Sequence, residues 1–410
     1  MTFKKIIVKS LLVPMLCAGM AIVATGCSDD DNVTETYSVE VVETMPEGVP
    51  AGYTVTSGQL TCEELNTGKS YTFILPLANG LRVPAGTYNM SATMTVAYPG
   101  NDAEHSFRAV VSQQVVSAQQ HSVTLAWFHY NPGNTLVFGE IYFAGSPNAT
   151  GTNGLYDTYF TVYNNSDDVQ YADGLAIVES KFVNTTTDRI LTEANRREAN
   201  FTVQTVYVIP GSGRDVAVSP GESIKIADQA IDWSAQVGGA LDHTDADFEW
   251  YDEVTTGTIR DTDNPAVPNL DKWFSYSKTV WLPSNQCNRS YALVRFPEGM
   301  TAEKFLSERN GEYQYVNAAT GKTLNGTNAY LIDYAWIIDG VNLCTTEDFT
   351  ETALSARIDA GYAAISDKKA DKKRFGRKLV RKRAGVSAVG NTVLMDTDNS
   401  ASDFEVVSVK

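Results

Sequence analysis

A concentrated run of basic residues near the carboxyl end is the first candidate for chemistry. Ten of the sixteen residues from Lys368 to Arg383 are lysine or arginine. Such a run can hold phosphate, lipid headgroups or another polyanion by summed Coulomb attraction. The alternative is a pair of solvated strands, since apolar residues interrupt the charges as in a half-buried strand. The candidate polyanion-binding residues are Lys372, Lys373, Arg374, Arg377, Lys378 and Arg381.

A second candidate combines carboxylates with aromatic rings between residues 242 and 281. Aromatic faces can stack on the C–H surface of a sugar, while carboxylates accept hydrogen bonds from its hydroxyl groups. The same composition would also let a long insertion pack its own core. The candidate ligand-binding residues are Trp250, Tyr251, Trp273, Tyr276 and Trp281.

Two closely spaced groups of oxygen ligands could bind calcium. They are Asp261-x-Asp263-Asn264 and Asp396-x-Asp398-x-Ser400. An EF-hand loop needs glycine at its sixth position and glutamate at its twelfth, and neither run has them. An irregular structural Ca²⁺ site therefore stays open, and the sequence indicates no other metal or cofactor.

Catalytic motifs are missing from the sequence. The four histidines show no metal-ligand spacing, and neither a G-x-S-x-G elbow nor a P-loop occurs. Carboxylate pairs of a hydrolase can be recognised only from their separation in space. We therefore expect a protein that is not an enzyme, with a hydrolase as the weaker alternative.

The amino terminus predicts a membrane anchor. Lys4, Lys5 and Lys9 precede an apolar run over residues 11–23, which is short for a membrane span. The segment that ends in Gly26-Cys27 resembles a bacterial lipobox, which implies that residues 1–26 are a signal peptide and that Cys27 is lipidated. Several acyl chains would anchor the protein firmly to a membrane.

An acidic tether over residues 27–36 is predicted to follow the anchor. Its residues Ser28, Asp29, Asp30 and Asp31 resemble the export signal of Bacteroidota surface lipoproteins. This resemblance implies an outer-membrane protein that faces the cell exterior. A plain solvated tether on a periplasmic protein is the alternative.

The cysteines give little support for a disulfide framework. Cys17 would leave with the signal peptide, and Cys27 would carry lipid. Cys62, Cys287 and Cys344 remain, an odd number without a C-x-x-C motif. We expect three buried free thiols, with a Cys287–Cys344 disulfide as the alternative.

Residues 37–130 are predicted to form a β-sandwich. Tyr88, Met90, Ala92, Met94 and Val96 alternate with polar residues, and this period of two places them on a core face. Regular turn signals separate such segments. The runs 66–73, 79–80 and 83–89 resemble prealbumin-like and carboxypeptidase-regulatory-like sandwiches, in which a P-A-G-T-Y segment opens a strand.

Residues 131–410 begin at an Asn-Pro-Gly-Asn linker and remain mostly β in pattern, with one helix starting near Thr301. The runs 141–146, 159–165, 376–381 and 396–404 resemble the lamin-tail domain, an immunoglobulin-like β-sandwich. The segment is about twice the size of a plain sandwich, so long insertions are predicted near 229–275 and 297–330. The predicted fold is therefore all-β, with two immunoglobulin-like sandwich domains, the second enlarged.

Length and charge complete the prediction. The chain has 410 residues and a net charge of −17, which disfavours general binding to nucleic acid. The runs 247–252, 264–273 and 336–343 resemble a family of Bacteroidota lipoproteins with a domain of unknown function. We expect a surface protein that binds a ligand or partner, such as a surface glycan or an outer-membrane transporter. An adhesive or structural module is the alternative.

Overall fold

The computed structural model describes residues 35–46, 48–100, 104–130, 135–187, 189–255, 260–317, 319–356, 358–387 and 389–409. Thr36–Lys410 form the larger of the two units into which the chain divides. The signal peptide, Cys27, the export residues Ser28–Asp31 and the linker at 131–134 lie outside the described residues. What the sequence predicts for these segments therefore stays a prediction. None of the helices in the described part is long and apolar enough to span a membrane.

The first part of the larger unit is built from strands. They are β1 (Thr36–Thr44), β2 (Thr54–Glu64), β3 (Ser70–Ile74), β4 (Leu81–Pro84), β5 (Gly86–Ala97), β6 (Glu104–Val116), β7 (Ser122–Ala126) and β8 (Phe128–His129). One sheet has the order β4-β1-β7, and the other has the order β3-β2-β5-β6-β8. Their facing side chains form one apolar core that includes Val39, Leu125 and Met90. This part is thus a β-sandwich, as predicted.

The alternation along β5 is confirmed with one exception. Tyr88, Met90 and Met94 are buried, as the period of two predicts. Asn89 is also buried, although the pattern assigns it to the solvent face. Its Oδ1 accepts a hydrogen bond from the backbone N–H of Gln113 at 3.1 Å, where the register of β5 and β6 shifts. This hydrogen bond compensates for the burial of the Asn89 amide.

The remaining strands belong to the predicted enlarged domain. They are β9 (Leu136–Tyr142), β10 (Tyr159–Asn164), β11 (Gln170–Tyr171), β12 (Leu175–Ser180), β13 (Arg189–Leu191), β14 (Phe201–Val208), β15 (Ala217–Val218), β16 (Ser223–Ala227), β17 (Phe248–Glu249), β18 (Asp271–Ser275), β19 (Ser290–Arg295), β20 (Tyr313–Val316), β21 (Thr323–Asn325), β22 (Tyr330–Ile332), β23 (Ile337–Asn342), β24 (Arg377–Arg381), β25 (Arg383–Val386), β26 (Thr392–Leu394) and β27 (Phe404–Ser408).

Helices are few and short in the described residues. They are α1 (Ala302–Glu308), α2 (Ser400–Asp403) and the 3₁₀ helices Glu193–Asn195, Trp233–Ala235, Tyr334–Trp336 and Lys372–Arg374. Thr301 caps α1 as predicted, because its side chain accepts a hydrogen bond from the backbone N–H of Lys304. Trp336 ends a 3₁₀ helix, and the next strand begins at Ile337.

Two six-stranded sheets form the second sandwich. The first has the order β17-β16-β10-β9-β24-β27. The second has the order β18-β14-β12-β19-β23, and its sixth strand, β22, pairs with β14. Phe160 from the first sheet and Tyr291 from the second meet in the shared core, with ring centroids 5.2 Å apart. The all-β sandwich prediction is confirmed. The boundary between two domains near residue 130 stays a prediction.

A small third sheet lies outside this sandwich. Its order is β13-β20-β21, and β20 and β21 fall inside the insertion that is predicted near 297–330.

Cys62, Cys287 and Cys344 are buried and free in the described structure, as expected.

Candidate functional site

Two of the predicted ligand-binding tryptophans belong to the core. Trp250 is 0% exposed and Trp281 is 1% exposed. Their ring centroids lie 5.2 Å apart, and the Trp281 ring stacks on Tyr207. Neither ring has a face open to a ligand, so the prediction is wrong for these two residues. The physical reason is that large aromatic side chains gain most free energy from full burial.

The other three predicted ring residues are less buried. Trp273 is partly buried and stacks on Phe296 with centroids 4.6 Å apart. Tyr251 is partly exposed, and Tyr276 is 41% exposed. These three side chains are partly exposed, but the two tryptophans that would form the centre of a sugar-binding surface are buried. The aromatic site predicted over 242–281 therefore does not form as one surface.

The basic run is also divided by the fold. Lys372 and Lys373 are exposed on a 3₁₀ helix. Arg374 donates from Nη1 to the carbonyl of Asp371 at 2.6 Å, and Arg377 is half-buried. Lys378 forms an ion pair with Glu140 at 2.7 Å. The strand Arg377–Arg381 thus agrees with the alternative prediction, whereas Lys372 and Lys373 stay at the surface.

Arg381 is wrongly assigned to a polyanion site, because it is buried in an ion-pair network. Its guanidinium lies 2.6 Å from Asp339, 3.0 Å from Asp396 and 3.6 Å from Asp403. An arginine that is 3% exposed and already faces three carboxylates cannot reach an external anion.

The second candidate calcium run contributes to this same network. Asp396 faces Arg381, and the backbone N–H of Ser400 donates to Asp359 at 2.6 Å. Burial and the neighbouring carboxylates raise the pKa of Asp398 to about 8. Within the described part of the chain, this run belongs to no group of three histidine, cysteine or acidic side chains placed to hold a metal ion.

The first candidate calcium run lies beside a buried group of acids. Asp261 accepts a hydrogen bond from Gln229 at 2.8 Å and one from the backbone N–H of Asp252 at 2.7 Å. Asp228 is fully buried, and neither of its carboxylate oxygens has a hydrogen-bond partner. Burial, followed by the negative charges of Asp261 and Asp252, raises the pKa of Asp228 well above its usual value. Among the described residues, no three histidine, cysteine or acidic side chains are placed to hold a metal ion.

The best candidate site is a groove beside the small third sheet, which we call the cationic groove. It has a volume of about 360 Å³ and is lined by three rings and two cationic side chains, namely Phe182, Tyr313, Tyr315, Lys181 and Arg189. Tyr313 and Tyr315 are two positions apart on β20, so they share one face of the sheet. Arg189 on β13 is the cross-strand partner of Tyr315.

Packing fixes the aromatic surface of the groove. The Phe182 and Tyr313 rings meet edge to face with centroids 5.1 Å apart. The Arg189 guanidinium lies over the Phe182 ring at 4.7 Å, a cation–π contact. Phe182 and Arg189 also line a neighbouring cleft of about 160 Å³.

The charge in the cationic groove is incompletely compensated. Arg189 pairs with Glu351 at 3.2 Å, but its Nε is buried without a hydrogen-bond partner. Lys181 forms no ion pair with any described residue, and its Nζ lies 5.9 Å from the Tyr313 ring centroid. Burial, followed by the nearby Arg289 guanidinium, lowers the pKa of Lys181 to about 8. An anionic group bound in the groove would lower the free-energy cost of burying these incompletely paired positive charges.

Gly326 is required for the position of the Tyr313 ring, which gives a first prediction. A Cβ atom at residue 326 would lie 2.0 Å from Cζ of Tyr313. Gly326→Ala should therefore push the ring out of the groove and weaken ligand binding at least about tenfold, the size expected for a central contact. Gly321→Ala is unsuitable as a control because its φ is +65°, so Ala319→Gly on the same hairpin serves instead. Equal affinity of Gly326→Ala and the unchanged protein would contradict this role.

Sequence reasoning missed the cationic groove. Lys181 and Phe182 follow β12, whereas Tyr313 and Tyr315 come more than 130 residues later, within a predicted insertion. The alternation Tyr313-x-Tyr315 is the signal that could have indicated a shared aromatic face.

Comparisons with known proteins show the fold but no activity. The search of curated proteins gave no match. A DUF4876 family protein from Bacteroides thetaiotaomicron is similar in structure, with 19% identity, a TM-score of 0.56, and coverage of 90% of this chain and 94% of that chain. The match to a "putative adhesin" from Bacteroides ovatus, at 8% identity, covers 77% of this chain and 91% of that chain, but its TM-score of 0.20 is too low to indicate a shared fold. Residues 219–410 match the family model described as "Protein of unknown function (DUF4876)", and most of the chain shares its fold with a solved protein of that family.

Proposed function

We propose that this chain is a surface lipoprotein that binds an acidic saccharide in the cationic groove, without catalysing a reaction on it. The observation that carries the proposal is the combination of two partly exposed rings, Tyr313 and Tyr315, with Lys181, whose charge no described acidic side chain neutralises. The rings offer faces to sugar C–H groups, and the ammonium would donate charge-assisted hydrogen bonds to a carboxylate or sulfate.

Affinity electrophoresis tests this proposal. The purified mature protein is run through gels that contain polygalacturonate, chondroitin sulfate or neutral dextran. We expect at least one acidic polymer, but not dextran, to slow its migration. Lys181→Met should weaken binding about tenfold or more, since a charge-assisted hydrogen bond contributes roughly 1.5 to 3 kcal/mol.

The control for Lys181→Met is Lys322→Met, which removes an exposed lysine from the turn between β20 and β21. This variant should migrate like the unchanged protein. Equal weakening by both variants would show only a loss of net positive charge and would contradict a specific site. Failure of both acidic polymers to slow the protein would also count against the proposal.

The pH dependence of binding gives a further prediction. The ammonium form of Lys181 is present below its pKa of about 8 and is lost as the pH rises through that value. Affinity for the acidic polymer should therefore fall between pH 7 and pH 9. Lys181→Arg keeps its charge over this range and should lose much less affinity. A parallel decline in both proteins would rule out Lys181 as the titrating group.

The anchoring part of the proposal depends on Cys27. We propose that this residue carries lipid and that Ser28, Asp29, Asp30 and Asp31 direct the protein to the outer face of the outer membrane. Metabolic palmitate labelling should be lost in Cys27→Ala, and retained label would disprove the assignment.

An accessory role beside an outer-membrane transporter predicts that the tagged protein recovers such a transporter from intact cells in stoichiometric amount.

A further inference from the structure

The cleft next to the cationic groove extends its positive surface. Phe182 and Arg189 line both depressions, so the two adjoin. Four cationic and two acidic side chains of the described part line them together, a net charge of +2 on a chain whose total charge is −17. They are Lys181, Arg189, Arg196 and Arg197, with Glu198 and Glu351. We call this neighbouring cleft the arginine cleft.

A short 3₁₀ helix positions Arg196 at the arginine cleft. The helix spans Glu193–Asn195, and the Thr192 side chain caps it by accepting a hydrogen bond from the backbone N–H of Asn195. Arg196 follows its last residue, and the backbone N–H of Arg196 donates to the carbonyl of Glu193. These hydrogen bonds hold the backbone at Arg196, whereas its side chain is 59% exposed.

The two carboxylates that line the arginine cleft pair with the other two arginines. Glu351 lies 3.2 Å from Arg189 and 3.3 Å from Arg197, so one carboxylate contacts two guanidinium groups. Glu198 lies 3.3 Å from Arg197. The charges of these four side chains balance. The net positive charge of the arginine cleft therefore comes from Arg196.

Arg196 is only weakly paired in the described structure. Its one ion pair there is with Glu193 at 3.7 Å, and the side chains are 59% and 87% exposed. Exposed pairs of this kind contribute little free energy, because water and salt screen both charges. A guanidinium can bind a carboxylate or a sulfate through two parallel hydrogen bonds. Arg196 can therefore exchange Glu193 for an anionic group of a ligand at little cost.

Two cationic side chains without a strong acidic partner thus lie in adjoining depressions. A sugar unit with one negative charge that contacts the rings of the cationic groove would pair with Lys181 and leave Arg196 unpaired. A chain with negative charges repeated along its length can reach both, and its second contact is favoured because the first already holds the chain nearby. We infer that the ligand is an acidic oligosaccharide with repeated charges, one held at Lys181 and another at Arg196. This inference rests on the proposed function, which concerns the cationic groove alone.

Calorimetric titration of the mature protein with short and long acidic saccharides tests the inference. The short probes, galacturonate and N-acetylgalactosamine 4-sulfate, each carry one negative charge. The long probes are tetragalacturonate and a chondroitin sulfate tetrasaccharide. We expect a long probe to bind at least about tenfold more tightly than its short counterpart, the factor for one added charge-assisted hydrogen bond.

Variants separate this inference from the proposed function. Arg196→Gln should weaken the long probe about tenfold and leave the short probe unchanged, whereas Lys181→Met should weaken both. Arg214→Gln removes an exposed arginine that lines neither depression and should change neither affinity. Full affinity of Arg196→Gln for the long probe, with Lys181→Met still impaired, would overturn the inference and leave the proposed function standing. Failure of the unchanged protein to bind any probe would overturn both.

Discussion

Replacing Arg381 with methionine is expected to lower the free energy of unfolding by about 3 to 5 kcal/mol, the cost of leaving buried charges without their partner. The guanidinium faces Asp339, Asp396 and Asp403, and all four side chains are at most 6% exposed. Nε of Arg381 also donates to the carbonyl of Phe138 at 2.8 Å. Methionine fills much of the volume but supplies neither the charge nor the donors.

Chemical denaturation in urea at pH 7 measures this effect. Lys378→Met is the matched control, because Lys378 lies on the same strand and its ion pair with Glu140 is partly solvated. That control should cost only about 0 to 1 kcal/mol, as is usual for such pairs. Comparable losses in the two variants would mean that the Arg381 network does not stabilise the second sandwich.

Asp228→Asn is expected to stabilise the protein, and the gain should grow as the pH rises above about 4. The pKa of Asp228 is raised in the folded state, so the folded protein retains a proton that the unfolded chain releases above about pH 4. The aspartate then lowers the stability as the pH rises towards its folded-state pKa, by at most about 1.4 kcal/mol for each pH unit. Asparagine does not titrate and avoids this loss.

Urea denaturation at pH 3, 5 and 7 checks the prediction. The difference between Asp228→Asn and the unchanged protein should vanish at pH 3. Asp271→Asn, which changes an exposed carboxylate, should show no such trend. A structural Ca²⁺ ion at Asp228 predicts the opposite result: the variant would be less stable in calcium buffer, and a chelator would destabilise only the unchanged protein.

Local patterns in the sequence predict the elements better than the sites. The alternation along β5 and the Thr301 cap of α1 are both confirmed. Both depend on residues that are close together in the sequence, so the sequence pattern alone can predict them. The exposure of Arg381 and Trp250 depends on contacts with residues that are distant in the sequence. The basic run and the aromatic run do not show which distant residues these are. Asp339 lies 42 residues from Arg381, and Trp250 contacts Phe160, which comes 90 residues earlier in the chain.

The same limit explains why the cationic groove is not visible in the sequence. Its cationic side chains follow β12 or lie on β13, and its tyrosines lie on β20. Only the pairing of β13 with β20 brings Arg189 opposite Tyr315. The size of the insertion indicates where to search, but the register of that sheet determines which side chains meet.

Lysine footprinting with an acetylating reagent tests the central claim most directly, because it distinguishes the cationic groove from the basic 3₁₀ helix. The mature protein is labelled at pH 8 with and without the acidic polysaccharide that slows it in gels, and modified lysines are identified by mass spectrometry. The account predicts strong protection of Lys181, with Lys372 and Lys373 labelled equally in both samples. Protection of Lys372 and Lys373 with no change at Lys181 would contradict it.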